Sequence, residues 1–131
     1  MADILVAEDD EGVLLFVSRA LAHRGHGVTQ AADGLDALQK LHESQGSFDL
    51  LLTDIAMPGL DGIALALKVA RDYPKLPVLM MTGYSAERQR AYNLDALICD
   101  VIIKPFTLKE ICAAVDAALD AGPQDRAAGQ S

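Results

Sequence analysis

Four short apolar runs, Ile4-Leu5-Val6-Ala7, Leu50-Leu51-Leu52-Thr53, Val78-Leu79-Met80-Met81 and Val101-Ile102-Ile103, limit what this chain can fold into more than any other feature. Each is too short for a helix, and the run from Phe48 to Thr53 has the pattern of a strand covered on both faces. Val28 to Ala31 reads as a fifth, brief strand.

The segments between the runs carry helical patterns. From Asp10 to about Arg24 the apolar positions Val13, Leu14, Val17, Ala20 and Leu21 recur at three and four residues, with Asp10 as N-cap and Gly25 as stop. Asp33 caps a second helix with an inward face of Ala37, Leu38 and Leu41, closing near Gly46. A third runs from Leu60 to Tyr73 between a Pro58-Gly59 turn and Pro74, and Ser85 caps a short fourth reaching about Asn93. Thr107 and Glu110 have capping-box spacing and open a last helix to about Leu119. Five strands alternating with five helices imply an α/β, doubly wound parallel sheet with right-handed crossovers.

The 131 residues suffice for one domain and one core, expected over 1–120, with 121–131 as a flexible tail. Eleven basic against nineteen acidic side chains give a net charge of −8, which repels nucleic-acid phosphates and anionic lipid surfaces. No leader and no run of about 18 apolar residues is visible, so the expected location is cytoplasmic, away from membranes. Cys99 and Cys112 lack metal-site spacing and are expected to be reduced and buried. His23, His26 and His42 read as solvated, and Met80 and Met81 as strand core.

Ligands of such sheets bind beyond the carboxyl ends of the strands. Glu8, Asp9, Asp54, Thr82 and Lys104 all follow or end apolar runs, so the topology gathers three carboxylates, a hydroxyl and an ammonium at one edge. Carboxylates so close together need a cation or raised pKa values, and a hard, oxygen-only site with few protein ligands suits Mg²⁺. Asp54 is the candidate nucleophile towards a phosphoryl group, with Lys104 balancing the phosphoryl charge and Thr82 donating to a phosphoryl oxygen.

The segments Ile4 to Asp10, Asp49 to Gly62 (Asp-Leu-Leu-Leu-Thr-Asp-Ile-Ala-Met-Pro-Gly-Leu-Asp-Gly), Pro77 to Gly83 and Ile103-Lys104-Pro105-Phe106 together resemble the receiver domain of two-component response regulators. The resemblance implies a flavodoxin-like fold with strand order 2-1-3-4-5. It further implies that Asp54 accepts phosphate from a histidine kinase or histidine phosphotransfer protein. Glu8, Asp9 and Asp54 would hold Mg²⁺ with the main-chain carbonyl of Ala56, Thr82 would be the switch hydroxyl, Lys104 the phosphate-pairing lysine, and Lys104-Pro105 a cis peptide.

Two departures stand out. Val101 occupies the position of the usual switch aromatic, and Asn93 to Asp100 offers Leu94, Leu97 and Ile98 in place of a Gly-containing turn, with burial in the core as the expectation. Tyr84 and Ala56 are expected to tune water access to the acyl phosphate.

The resulting expectation is a single-domain regulator that docks a downstream protein under phosphorylation control, with phosphorylation-dependent homodimerisation left open. It would catalyse only its own phosphorylation and dephosphorylation. A phosphorelay shuttle, or a regulator of a protease adaptor similar to those of alphaproteobacteria, are alternatives. A haloacid-dehalogenase-type phosphohydrolase would carry an acid two residues after Asp54, where this chain has Ala56. A nucleotide or flavin binder would need a phosphate-cradling loop where this chain has Glu8-Asp9-Asp10-Glu11-Gly12.

Overall fold

The computed structural model describes residues 2–83 and 98–121. The order is β1 (Asp3–Ala7), α1 (Glu11–His23), β2 (Gly27–Ala31), α2 (Gly34–Ser44), β3 (Leu50–Asp54), α3 (Gly62–Asp72), β4 (Val78–Thr82), β5 (Asp100–Ile103) and α4 (Leu108–Asp120). All strand pairs are parallel, in the order β2-β1-β3-β4-β5. This is the doubly wound, flavodoxin-like sheet expected from the sequence. The fourth helix expected over 85–93, together with Tyr84, Leu94, Leu97 and the tail beyond Ala121, lies outside the described residues.

Alternation along the central strands divides the core in two. Leu5, Leu51 and Met80 face one way with Ala37 and Leu41 of α2 and Leu65, Ala66 and Val69 of α3. Ile4, Val6, Leu50, Leu52, Leu79 and Met81 face the other way, against Val17 and Leu21 of α1 and Ile111 and Val115 of α4. Every residue of β3 and β4 is buried, because helices cover both faces and neither strand lies at an edge. Met80 and Met81 are fully buried, and Ile98 and Val101 join the α2/α3 side of the core.

The caps account for where helices begin. An Asp10 carboxylate oxygen accepts from the Gly12 and Val13 N–H groups at 2.9 and 3.2 Å, and one of Asp33 from Asp36 N–H at 2.8 Å. Thr107 and Glu110 form the expected reciprocal box, at 2.9 and 3.1 Å. The third helix starts later than expected, because the Asp61 carboxylate accepts from Ala64 N–H at 2.8 Å and so fixes Gly62 as the first helical residue. β3 also starts at Leu50, not Phe48, whose N–H closes a turn on Gly46 O.

Two smaller expectations are corrected. Cys112 is buried on α4, but Cys99 is exposed just ahead of edge strand β5, and its N–H follows the ladder to Val78 O at 2.7 Å. His23 and His42 are exposed, whereas His26 is half-buried and accepts from Ala2 N–H through Nδ1.

Leu51, fully buried at the centre of the sheet, sets a scale for this core. Leu51→Ala is expected to lower stability by about 2–5 kcal/mol. Leu67→Ala, at a side chain 49% exposed on α3, should stay within about 0.5 kcal/mol of the parent protein in urea unfolding.

Candidate functional site

β1 and β3 pair with Ala7 opposite Thr53, so the next residues, Glu8 and Asp54, leave neighbouring strands at the same level. The two-residue period then places both side chains on the α1/α4 side, one residue past Thr53 and Ala7. β5 pairs Ile103 with Thr82, and Lys104 N–H continues that ladder onto Thr82 O at 2.8 Å. The lysine therefore enters the same space from the far side of β4.

The Lys104 ammonium donates to Glu8 Oε1 at 2.6 Å and to Asp54 Oδ2 at 3.0 Å. The other oxygens are held by main chain: Asp10 N–H donates to Glu8 Oε2 at 3.1 Å, and Ile55 N–H to Asp54 Oδ1 at 2.8 Å. Glu8 and Asp54 are buried at 1% and 5% exposure, while Asp9 is exposed at the rim. Carboxylate oxygens of Glu8, Asp9 and Asp54 nevertheless lie within 4.8 Å of one another. They border an open cavity of about 680 Å³, which Ala56, Gly83, Lys104 and Pro105 also line.

Three carboxylates face one ammonium, and the imbalance is expressed in protonation. Burial, reinforced by the adjoining Asp54 carboxyl, pushes Glu8 up to about 7 against the opposing pull of Lys104. Burial disfavours the Lys104 ammonium, but its hydrogen bonds to Glu8 and Asp54 outweigh this and hold its pKa above the ordinary lysine value. A divalent cation would relieve the carboxylate repulsion, and the donors are all hard oxygens beside a cavity wide enough for an ion keeping several waters. The residues present therefore fit Mg²⁺.

The structure brings Glu8, Asp9, Asp54 and Lys104 together and sets Ala56 in the cavity wall. Thr82 is buried at the end of β4 and meets Lys104 through the main chain. The Lys104-Pro105 peptide is cis, as expected. Sequence reasoning missed that Lys104 is shared between Glu8 and Asp54, and that Asp54 is backed by Thr53 and Gly62. The Thr53 hydroxyl donates to Asp54 O at 2.9 Å, and Gly62 lies so close that a Cβ there would stand 2.1 Å from that oxygen. The signal available was a glycine placed directly after the Asp61 cap.

The family model of the response regulator receiver domain matches residues 4–116. The chain belongs to the response-regulator receiver family. Among relatives, the response regulator receiver protein CpdR of Brucella abortus is 37% identical, over 85% of this chain and 91% of that protein. The transcriptional regulatory protein TcrA of Mycobacterium tuberculosis is 35% identical over 94% of this chain. The chain spans only 48% of TcrA, and 13% of the sensor kinase CckA of Brucella abortus, to which it is 34% identical. Among solved structures, the response regulator TrrA of Thermotoga maritima in complex with Mg²⁺-BeF superposes with a TM-score of 0.81 at 26% identity, covering 91% of this chain and all of that one. The chemotaxis response regulator CheY4 of Vibrio cholerae gives 0.81 at 26%, covering 91% and 99%. The receiver fold and its acidic pocket are thus both present.

Because repulsion among three carboxylates opposes folding and a cation would reverse it, Asp9→Asn is expected to raise the thermal midpoint in EDTA. The same substitution should shrink the further rise produced by saturating Mg²⁺. Thermal unfolding with and without Mg²⁺ checks both signs.

Proposed function

We propose that this chain is a phosphorylation-controlled receiver that works by docking to other proteins, with Asp54 as its phosphoryl acceptor. The observation that carries the reading is the sharing of the Lys104 ammonium between Glu8 and Asp54 at the mouth of an open, acid-lined cavity. A carboxylate oxygen of Asp54 bonds to phosphorus as the P–N bond of a phosphohistidine breaks. The imidazole nitrogen keeps the bonding pair and takes a proton. Mg²⁺, held by Glu8, Asp9, Asp54 and the main-chain carbonyl of Ala56, would neutralise charge on the transferred group. Lys104 would turn from Glu8 to a phosphoryl oxygen, and Thr82 would donate to another.

The donor is a histidine kinase or histidine phosphotransfer protein. An apolar surface beside the cavity suits such a partner: Leu15, Phe16 and Leu108 are 41%, 41% and 52% exposed, and Phe16 leans on Phe106 with ring centroids 6.3 Å apart. These residues flank a groove that begins at Gly12, two residues from the Asp10 side of the cavity. A helix bearing the phosphohistidine could rest there with its imidazole over Asp54.

The extent of the likeness to CpdR, 91% of that protein, favours a regulator acting as one cytoplasmic domain on a downstream protein. A phosphorelay shuttle, a protease-adaptor regulator and a phosphorylation-dependent homodimer are forms of the same chemistry. In every form the chain turns over only its own phosphoryl group. Nucleic acid and membrane are poor partners for a chain of net charge −8, and no described helix is long and apolar enough to cross a membrane.

Phosphotransfer from a panel of ATP-charged histidine kinases and phosphotransfer proteins tests the reading. Phe16→Glu is expected to slow transfer from the cognate donor by about tenfold or more, the cost of placing a charge in an apolar contact. It should leave phosphorylation by acetyl phosphate intact. No transfer from any histidine donor, with acetyl phosphate equally inert, would remove the proposal.

A further inference from the structure

The carboxylate that reacts in a receiver must be held at one angle, and the structure assigns that task to a residue outside the acidic cavity. We propose that Thr53 is a positioning residue for phosphorylation of Asp54, acting through the peptide group that joins Asp54 to Ile55. The inference rests on the reading of Asp54 as phosphoryl acceptor.

Thr53 is fully buried, and the two-residue period turns it away from the acidic cavity, towards the α2/α3 side. Its hydroxyl donates to the carbonyl oxygen of Asp54 at 2.9 Å. That carbonyl and the Ile55 N–H belong to one planar group, so a bond that fixes the first also fixes the direction of the second. The Ile55 N–H is what holds Asp54 Oδ1, at 2.8 Å, and it is shared, since it also reaches Met81 O across the ladder at 3.0 Å. Tilting the peptide towards β4 would strengthen the ladder bond at the expense of the carboxylate bond. Thr53 grips the opposite end of the same plane and opposes that tilt.

The surrounding packing stiffens the arrangement. Gly62 leaves no room for a Cβ beside Asp54 O, and its N–H donates to Ile55 O at 2.8 Å. Gly34, at the start of α2, lies against Leu60 O, where a Cβ would stand at 2.0 Å. The turn after Asp54 is therefore clamped by two helix starts, and the Thr53 hydroxyl adds a side-chain hydrogen bond to that clamp. With Lys104 on Oδ2 and Ile55 N–H on Oδ1, both oxygens of the nucleophile are oriented, and loss of either restraint lets the carboxylate rotate.

The test compares Thr53→Val, which keeps shape and removes the hydroxyl, with Thr53→Ser, which keeps the hydroxyl, and Thr53→Ala as a second deletion. Acetyl phosphate at saturation with Mg²⁺ supplies the rate constant. A ¹H–¹⁵N spectrum of the unphosphorylated protein supplies the Ile55 amide shift. Positioning through the peptide requires Thr53→Val and Thr53→Ala to phosphorylate about tenfold more slowly, Thr53→Ser to restore the rate, and the Ile55 amide proton to move upfield only when the hydroxyl is lost. A folded Thr53→Val with the wild-type Ile55 shift, or with the wild-type rate, would overturn the proposal. Because the amide shift is read without phosphorylation, it decides the positioning claim even if the wild-type protein takes up no phosphoryl group, an outcome that would count against the acceptor reading alone.

Discussion

The ammonium of Lys104, shared between two buried carboxylates on neighbouring strands, is the contact on which the rest of the site depends. Glu8 and Asp54 stand at the same level because β1 and β3 pair in parallel register, and two ionised carboxylates that close would repel strongly in a region of low dielectric. One ammonium cannot neutralise three acids. Glu8 yields by moving towards protonation, and the residual imbalance makes the cavity a place for a divalent cation and, with it, a phosphoryl group. Frustration in the resting site and readiness for the charged ligand are thus one electrostatic fact.

The scaffold explains why that contact can persist. β3 and β4 are buried end to end, and the apolar layers on the two faces of the sheet leave the strands little freedom to slide. The charged residues sit where the apolar strands stop, so the sheet carries the cost of gathering them while its mouth stays open to water and partners. Lys104 is tied into the same frame through its N–H to Thr82 O, which links the end of β4 to the start of the segment leading into α4. A change in the position of the lysine would therefore be felt along β5, whose Val101 is packed in the core and whose Ile103 is 40% exposed.

Much of this was legible in the residues. The apolar runs marked the strands because a strand covered on both faces must be apolar throughout, and Asp10, Asp33 and the Thr107–Glu110 pair marked helix starts because unpaired N–H groups demand acceptors. The positions of Glu8, Asp9, Asp54 and Lys104 followed from the same strand ends. Other features depend on distance in space. Glu8 and Lys104 are 96 residues apart, so their pairing appears only when β1 and β5 are placed. The pattern of the residues put the start of the third helix at Leu60, and the bond from Ala64 N–H to the Asp61 carboxylate moves it to Gly62, while the exposure of Cys99 follows from its place beside an edge strand. Thr53 looked like one more residue of a buried strand, since nothing in its neighbours reveals that its hydroxyl turns back onto the carbonyl of Asp54.

The central claim, that this constellation takes a phosphoryl group on Asp54, is met most directly by intact mass. The protein and its Asp54→Asn variant would be incubated with acetyl phosphate, with Mg²⁺ and with EDTA. The account predicts a single phosphoryl adduct that requires Mg²⁺ and is absent from the variant. An adduct that persists in Asp54→Asn, or that forms equally well in EDTA, would contradict it.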